Sequence, residues 1–126
     1  MEGIIINVRS RVLPMILHIA HGDVWARAQV DGVYRADSLR DQGFIHCSYP
    51  HQIIRVADMV YRGQRGLVLL HIDPVRLDSR VVEEDGGGGE LYPHVYGPIN
   101  LDAVVKVEPL EPGDDGSFTL PDLNDS

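Results

Sequence analysis

The sequence predicts an α+β domain, a small mixed β-sheet carrying two helices. Three observations point there. Strand-like and helix-like segments alternate early and strands dominate later, an order that fits α+β better than a doubly wound parallel sheet. LVLLHID (67–73) is almost continuously apolar, as a strand covered on both faces should be. The segment 49–62 instead repeats its apolar residues at helical spacing.

MILHIA (15–20) reads as a buried first strand. Asp23 to Val30 reads as a helix, with Asp23 as N-cap, Trp25 towards the core and Asp31-Gly32 as its end. Ser38 to Gln42 makes one helical turn closed by Gly43. GFIHCS (43–48) is a short strand, with Phe44, His46 and Ser48 on one face and Ile45 and Cys47 on the other. The second helix runs from Tyr49 to Arg62. Ser48 is its expected cap, and Pro50 stands in the first turn, where its missing N–H costs nothing. Ile53, Ile54, Ala57, Val60 and Tyr61 form its apolar stripe, and Gly63 stops it.

LVLLHID follows as the central strand, ended by Asp73-Pro74. Arg80 to Glu84 is a further strand and Asp85 to Gly89 a flexible hairpin tip. LYPHVYGPI (91–99) reads as an irregular connection stiffened by Pro93, Gly97 and Pro98. AVVKVEPL (103–110) alternates and closes the sheet. The domain is expected over 15–110, between an N-terminal extension (1–14) and an acidic, flexible tail (111–126).

A chain of 126 residues fits one domain. At that size it buries roughly two-thirds of its unfolded surface without a staple. The single cysteine, Cys47, rules out an internal disulfide and suits a cytoplasmic location. A net charge of −8 argues against duplex nucleic acid as a bulk partner. No stretch is long and apolar enough for a membrane span, and the opening residues lack the features of a signal peptide. The acidic tail leaves room for a protein partner.

Candidate chemistry centres on histidines, of which there are six. His18, His46 and His94 stand in strand-like or compact settings, where an imidazole costs desolvation unless something pairs with it. Each is either a satisfied core group or part of a cleft. His46 and Ser48 share a strand face, and a helix starting just after them favours an anionic ligand. Tyr92 and Tyr96 flank His94 on a stiff backbone, able to stack on a base and bind a sugar. Glu83 and Glu84 are candidate carboxylates at a strand end. The run Gly86 to Gly89 lacks the Lys-Ser/Thr of a phosphate loop. A zinc site from His18, His21, His46 and Cys47 is disfavoured because Cys47 faces away from His46, so no metal is expected. A Cys–His nucleophile pair is disfavoured for the same reason.

The series LHIA, GFIHCS, LVLLHID and LYPHVYGPI, followed by DAVVKVEPL, resembles the bacterial Domain of Unknown Function 952 family over about residues 15 to 110. GFIHCS and PHVYGPI are its most specific parts. That resemblance implies a small version of the ADP-ribosyltransferase fold, a split β-sheet. Its cleft holds NAD in some relatives and a 2′-phosphorylated RNA end in others. Carried over, it implies that His18 holds ribose hydroxyls, that His46 and Ser48 pack the nicotinamide, and that Tyr92 and Tyr96 stack. His94 becomes a general acid/base and Glu84 the candidate carboxylate, although neither glutamate stands in an unmistakable place. The expected catalytic set is therefore His46, His94 and Glu84, and the ligand-binding set His18, Ser48, Tyr92 and Tyr96. The expected ligand is a small nucleotide such as NAD, taken as substrate rather than as a resident cofactor. The other reading is a nucleotide-binding or sensing module without chemistry.

Overall fold

The computed structural model describes residues 14–120. It is α+β, with three helices and three small sheets in which every strand pair is antiparallel. The expected mixed sheet is therefore corrected: no parallel pair occurs among the described residues.

Strand β1 (Ile16–His21) pairs with β4 (Leu67–Ile72), and β4 pairs with β8 (Val104–Leu110). β4 is central, as its unbroken apolar run predicts. The second sheet places β6 (Leu91–Tyr96) between β3 (Ile45–His46) and β5 (Arg80–Asp85). Two-residue strands β2 (Val33–Tyr34) and β7 (Ile99–Asn100) form a small third pair.

Helix α1 (Gly22–Asp31) leaves β1 without a connecting residue. Gly22 permits this: its N–H donates to the Gly66 carbonyl at 2.7 Å, and a Cβ there would lie 2.9 Å from that oxygen. His21, not Asp23, is the N-cap, and Asp23 instead accepts from the Val24 N–H within the first turn. The short helix α2 (Asp37–Gln42) ends as expected on Gly43, whose φ of 91° is left-handed.

Helix α3 (Pro50–Val60) is shorter than its sequence pattern suggests. Its cap is Tyr49, whose N–H is taken by the Gln52 side chain at 2.9 Å, so the expected Ser48 cap is corrected. Ser48 lies one residue before that cap, and its main-chain N–H and C=O form the bridge described below. Ile53 and Ala57 are buried, whereas Val60 turns outward and leaves the apolar stripe.

LYPHVYGPI is also corrected, because its first six residues form the central strand of the second sheet. Pro93 is tolerated there because its carbonyl, and hence its missing N–H, faces the end of β3, which has only two residues. β8 closes the first sheet; Val105, Val107 and Pro109 share its exposed face, and Lys106 on the other face is the break in the expected alternation.

Two apolar clusters hold the layers together. One joins Ile16, Tyr34, Ile45, Leu70, Ile72, Val95 and Ile99, with Trp25 packed at its margin. The other joins Leu17, Ile19, Ile53, Leu67, Leu69, Leu110 and Phe118, seating α3 on the first sheet. Phe118 lies in the segment expected to be a flexible tail, yet it is buried and its N–H donates to Asp58 at 2.9 Å. The Gly63 N–H also bonds the Gly116 carbonyl at 2.9 Å. Flexibility from residue 111 is thus corrected for 111–120; the remainder of the tail, 121–126, and nearly all of the N-terminal extension lie outside the described residues. Phe118→Ala is expected to destabilise the domain by about 3 kcal/mol in urea unfolding, the cost of emptying an aromatic core site. A loss below about 0.5 kcal/mol would mean that this segment does not hold the core.

No helix is long and apolar enough to cross a membrane among the described residues.

Candidate functional site

β1 and β3 are edge strands of different sheets, and they meet through the residues beside them. Leu17 N–H donates to the Ser48 carbonyl at 2.7 Å, and Ser48 N–H to the Leu17 carbonyl at 2.8 Å. This isolated bridge is the joint between the sheets. Beside it opens a cavity of about 240 Å³ lined by His18, Tyr34, Asp37, Ser38, His46 and Ser48 over an apolar floor that includes Ile19, Val24 and Ile53. His21 and Tyr61 stand at the same cavity with their rings 6.1 Å apart.

His18 is buried with both ring nitrogens engaged. Nδ1 lies 2.6 Å from the His46 carbonyl oxygen and Nε2 lies 2.7 Å from the Tyr34 hydroxyl. A carbonyl can only accept, so Nδ1 carries the hydrogen and donates. In the neutral ring Nε2 is then bare and accepts from the Tyr34 O–H. Burial pushes the His18 imidazole down to about 4, against the opposing pull of the carbonyl, so it is neutral near pH 7. Burial likewise raises the Tyr34 phenol well above its usual range.

His46 is exposed, with Nε2 3.0 Å from Gln42 Oε1. Partial burial lowers its pKa first, and neighbouring His94 adds to the effect. His94 does not line the cavity but stands behind His46, ring centroids 5.4 Å apart. Phe44 covers it, stacked at 4.0 Å. Its Nδ1 lies 2.7 Å from Glu84 Oε1, which also accepts from the Tyr96 hydroxyl at 2.6 Å. Those two hydrogen bonds, Tyr96's first, hold the Glu84 carboxyl below the usual range.

The expected site residues thus divide. His18, His46 and Ser48 line one cavity. His94, Glu84 and Tyr96 form a hydrogen-bonded set behind His46, on the same sheet face because paired residues in adjacent strands share a face. Tyr92 is drawn away to Arg55, which donates to its hydroxyl at 3.2 Å. Glu83 accepts from the Tyr49 hydroxyl. Cys47 is buried in the core, where desolvation raises its thiol pKa out of the reactive range. Among the described residues no group of three or more His, Cys, Asp or Glu is placed to hold a metal ion.

Sequence reasoning missed Tyr34, Asp37, Ser38 and Gln42. The signal available was weak: a polar stretch, Tyr34 to Gln42, whose second half reads only as a single helical turn. Its role appears only when β2 and β7 close this segment over β1.

A family model described as a protein of unknown function, DUF952, matches residues 19–107. The chain belongs to the DUF952 family. Among solved structures, this DUF952 domain is similar to the crystal structure of protein CC0527 from Caulobacter crescentus, with a TM-score of 0.76 and 32% identity. That match covers 84% of this chain and 94% of CC0527. The solution NMR structure of CC0527 matches with a TM-score of 0.75 and 29% identity, over 86% and 94% of the two chains. No curated protein matches this DUF952 domain. The family is described without an activity, so its function has to be argued from the site.

Proposed function

We propose that the cavity between β1 and β3 binds the ring-and-sugar end of NAD or a related nucleotide, and that the domain is an enzyme of ADP-ribosyltransferase type. The observation that carries this reading is the joint itself. Beside the bridge the two sheets part around a hollow lined by His18, Tyr34, His46 and Ser48. At about 240 Å³ the hollow falls below the usual drug-sized pocket and suits one ring with its ribose rather than a whole dinucleotide.

Two further features support it. The N–H and C=O of Leu17 point outward to Ser48, so those of Ile19, two residues on, point the same way. Facing away from β4, they offer a donor–acceptor pair suited to a carboxamide. His46 supplies a basic Nδ1 once its Nε2–H is given to Gln42. In the proposed reaction the bond between ribose C1′ and nicotinamide breaks, and nicotinamide leaves with the electron pair. An acceptor hydroxyl bonds to C1′ and gives its proton to His46.

One observation favours the rival reading, a sensing module without turnover. Glu84 is turned onto His94 and Tyr96 and does not line the cavity. A ribosyl cation then loses its main electrostatic support unless Asp37 supplies it. Calorimetry with NAD and ADP-ribose, followed by chromatographic detection of free nicotinamide over hours, separates the two. Binding with release selects the enzyme and binding without release selects the sensor. No binding of either nucleotide rejects both.

A further inference from the structure

We infer that the cavity selects an uncharged or cationic group rich in hydrogen-bond donors, a ribose diol or a carboxamide, and excludes phosphate. The inference rests on the cavity being a nucleotide site, and it decides which part of the nucleotide enters.

The argument is a count of hydrogens. His18 has one N–H, and the His46 carbonyl takes it. The one hydrogen of the Tyr34 hydroxyl goes to His18 Nε2. Towards any further neighbour the Tyr34 oxygen can therefore only accept. His46 spends its Nε2–H on Gln42, leaving Nδ1 as an acceptor. Asp37 adds a carboxylate, and among the described residues no lysine or arginine lines the cavity. The Ser48 and Ser38 hydroxyls can act either way, and Ser38 Oγ is buried without a partner among the described residues.

A phosphate brings negative charge and, as the dianionic ester, acceptors only. Against Tyr34, Asp37 and His46 it would meet lone pairs with no hydrogens between them. A vicinal diol or a carboxamide brings the missing hydrogens, and a pyridinium ring adds a charge that Asp37 attracts. Cations stand outside, in an adjoining surface depression lined by Arg35 and Arg40 that shares Ala36 and Asp37 with the cavity. The nicotinamide riboside end of NAD fits this pattern. A 2′-phosphorylated RNA end does not.

The test has two arms on the full chain. Long-range ¹⁵N–¹H NMR at neutral pH should show His18 neutral and protonated on Nδ1. Binding should then be compared for nicotinamide against nicotinate, and for NAD against its carboxylate analogue. The carboxamide forms should bind about tenfold more tightly or better. Tyr34→Phe should reduce that preference, and Asp37→Asn, at an exposed position, should narrow it several-fold with the fold intact. An Nε2-protonated or charged His18, or carboxylates that bind as well as carboxamides, overturns the inference. So does inorganic phosphate if it shifts the His18 and Ser48 resonances and competes with nicotinamide. If neither NAD nor ADP-ribose binds, the nucleotide reading fails and this inference with it; if NAD binds but nicotinate matches nicotinamide, this inference alone fails.

Discussion

On the proposed reading, His46→Ala is expected to lower nicotinamide release from NAD by about two to four orders of magnitude while leaving the melting temperature nearly unchanged. The two effects separate because the residue serves the fold and the site with different atoms. Its carbonyl anchors His18, and that oxygen belongs to the main chain and survives the substitution. Its ring is exposed, and its one side-chain hydrogen bond goes to the equally reachable Gln42. Removing the ring takes away the proton acceptor and some edge contact with Phe44 and His94, a surface-sized loss of stability. His94→Ala makes the contrast, since that ring is buried beneath Phe44 and tied to Glu84. It should lose both rate and stability. A His46→Ala protein that melts many degrees lower yet releases nicotinamide normally would return His46 to a purely structural role.

The second large effect is on stability and is set by His18. In the unfolded chain its imidazole takes a proton near 6.5; in the fold, burial delays this to about 4. Below about pH 6.5 the unfolded state therefore binds a proton that the native state lacks. Stability falls as pH drops from about 6.5 to about 4 and is insensitive to this group above that window. The gap between the two values corresponds to about 3 kcal/mol, a large share of a small domain's margin. His46 is shifted in the same direction and adds to the slope. Urea unfolding across that range should show a steep decline for the native sequence and a flatter one for His18→Gln, which keeps a donor and an acceptor but cannot titrate. The slope is the quantity to compare, because the variant's stability near neutrality also changes. Equal slopes for the two proteins would remove His18 as the acid-sensitive group.

Much of the scaffold could be read from residue patterns alone. An unbroken apolar run placed β4 at a sheet centre, and glycines after residues 31 and 42 placed the two helix ends. LYPHVYGPI misled because two prolines and a glycine weigh towards a loop. The alternating Tyr92, His94 and Tyr96, all on one strand face, were the better guide. The tail misled because polarity was weighed over one aromatic residue, Phe118, which finds a place in the core.

The site was partly legible. Histidines inside apolar segments announced a buried polar cluster, and His18 and His46 do meet at one cavity. That His18 had already given up its hydrogen could not be read, since the carbonyl that takes it comes from 28 residues away. Nor could the division of labour between a cavity wall and the His94–Glu84 pair behind it, which depends on strand register rather than on spacing in the chain.

Among the described residues the main-chain pairing between the two three-stranded plates is the Leu17–Ser48 bridge rather than a continuous ladder, with the first apolar cluster packed between them. A molecule wedged beside that bridge acts as a shim: it sets the pitch of one plate against the other. Ser48 lies two residues ahead of α3, so a change of pitch is carried directly into that helix and the Phe118 seat beneath it. Occupancy of the hollow should therefore be felt as slower amide exchange along α3, beyond the Ile53 and Val56 turn that lines it.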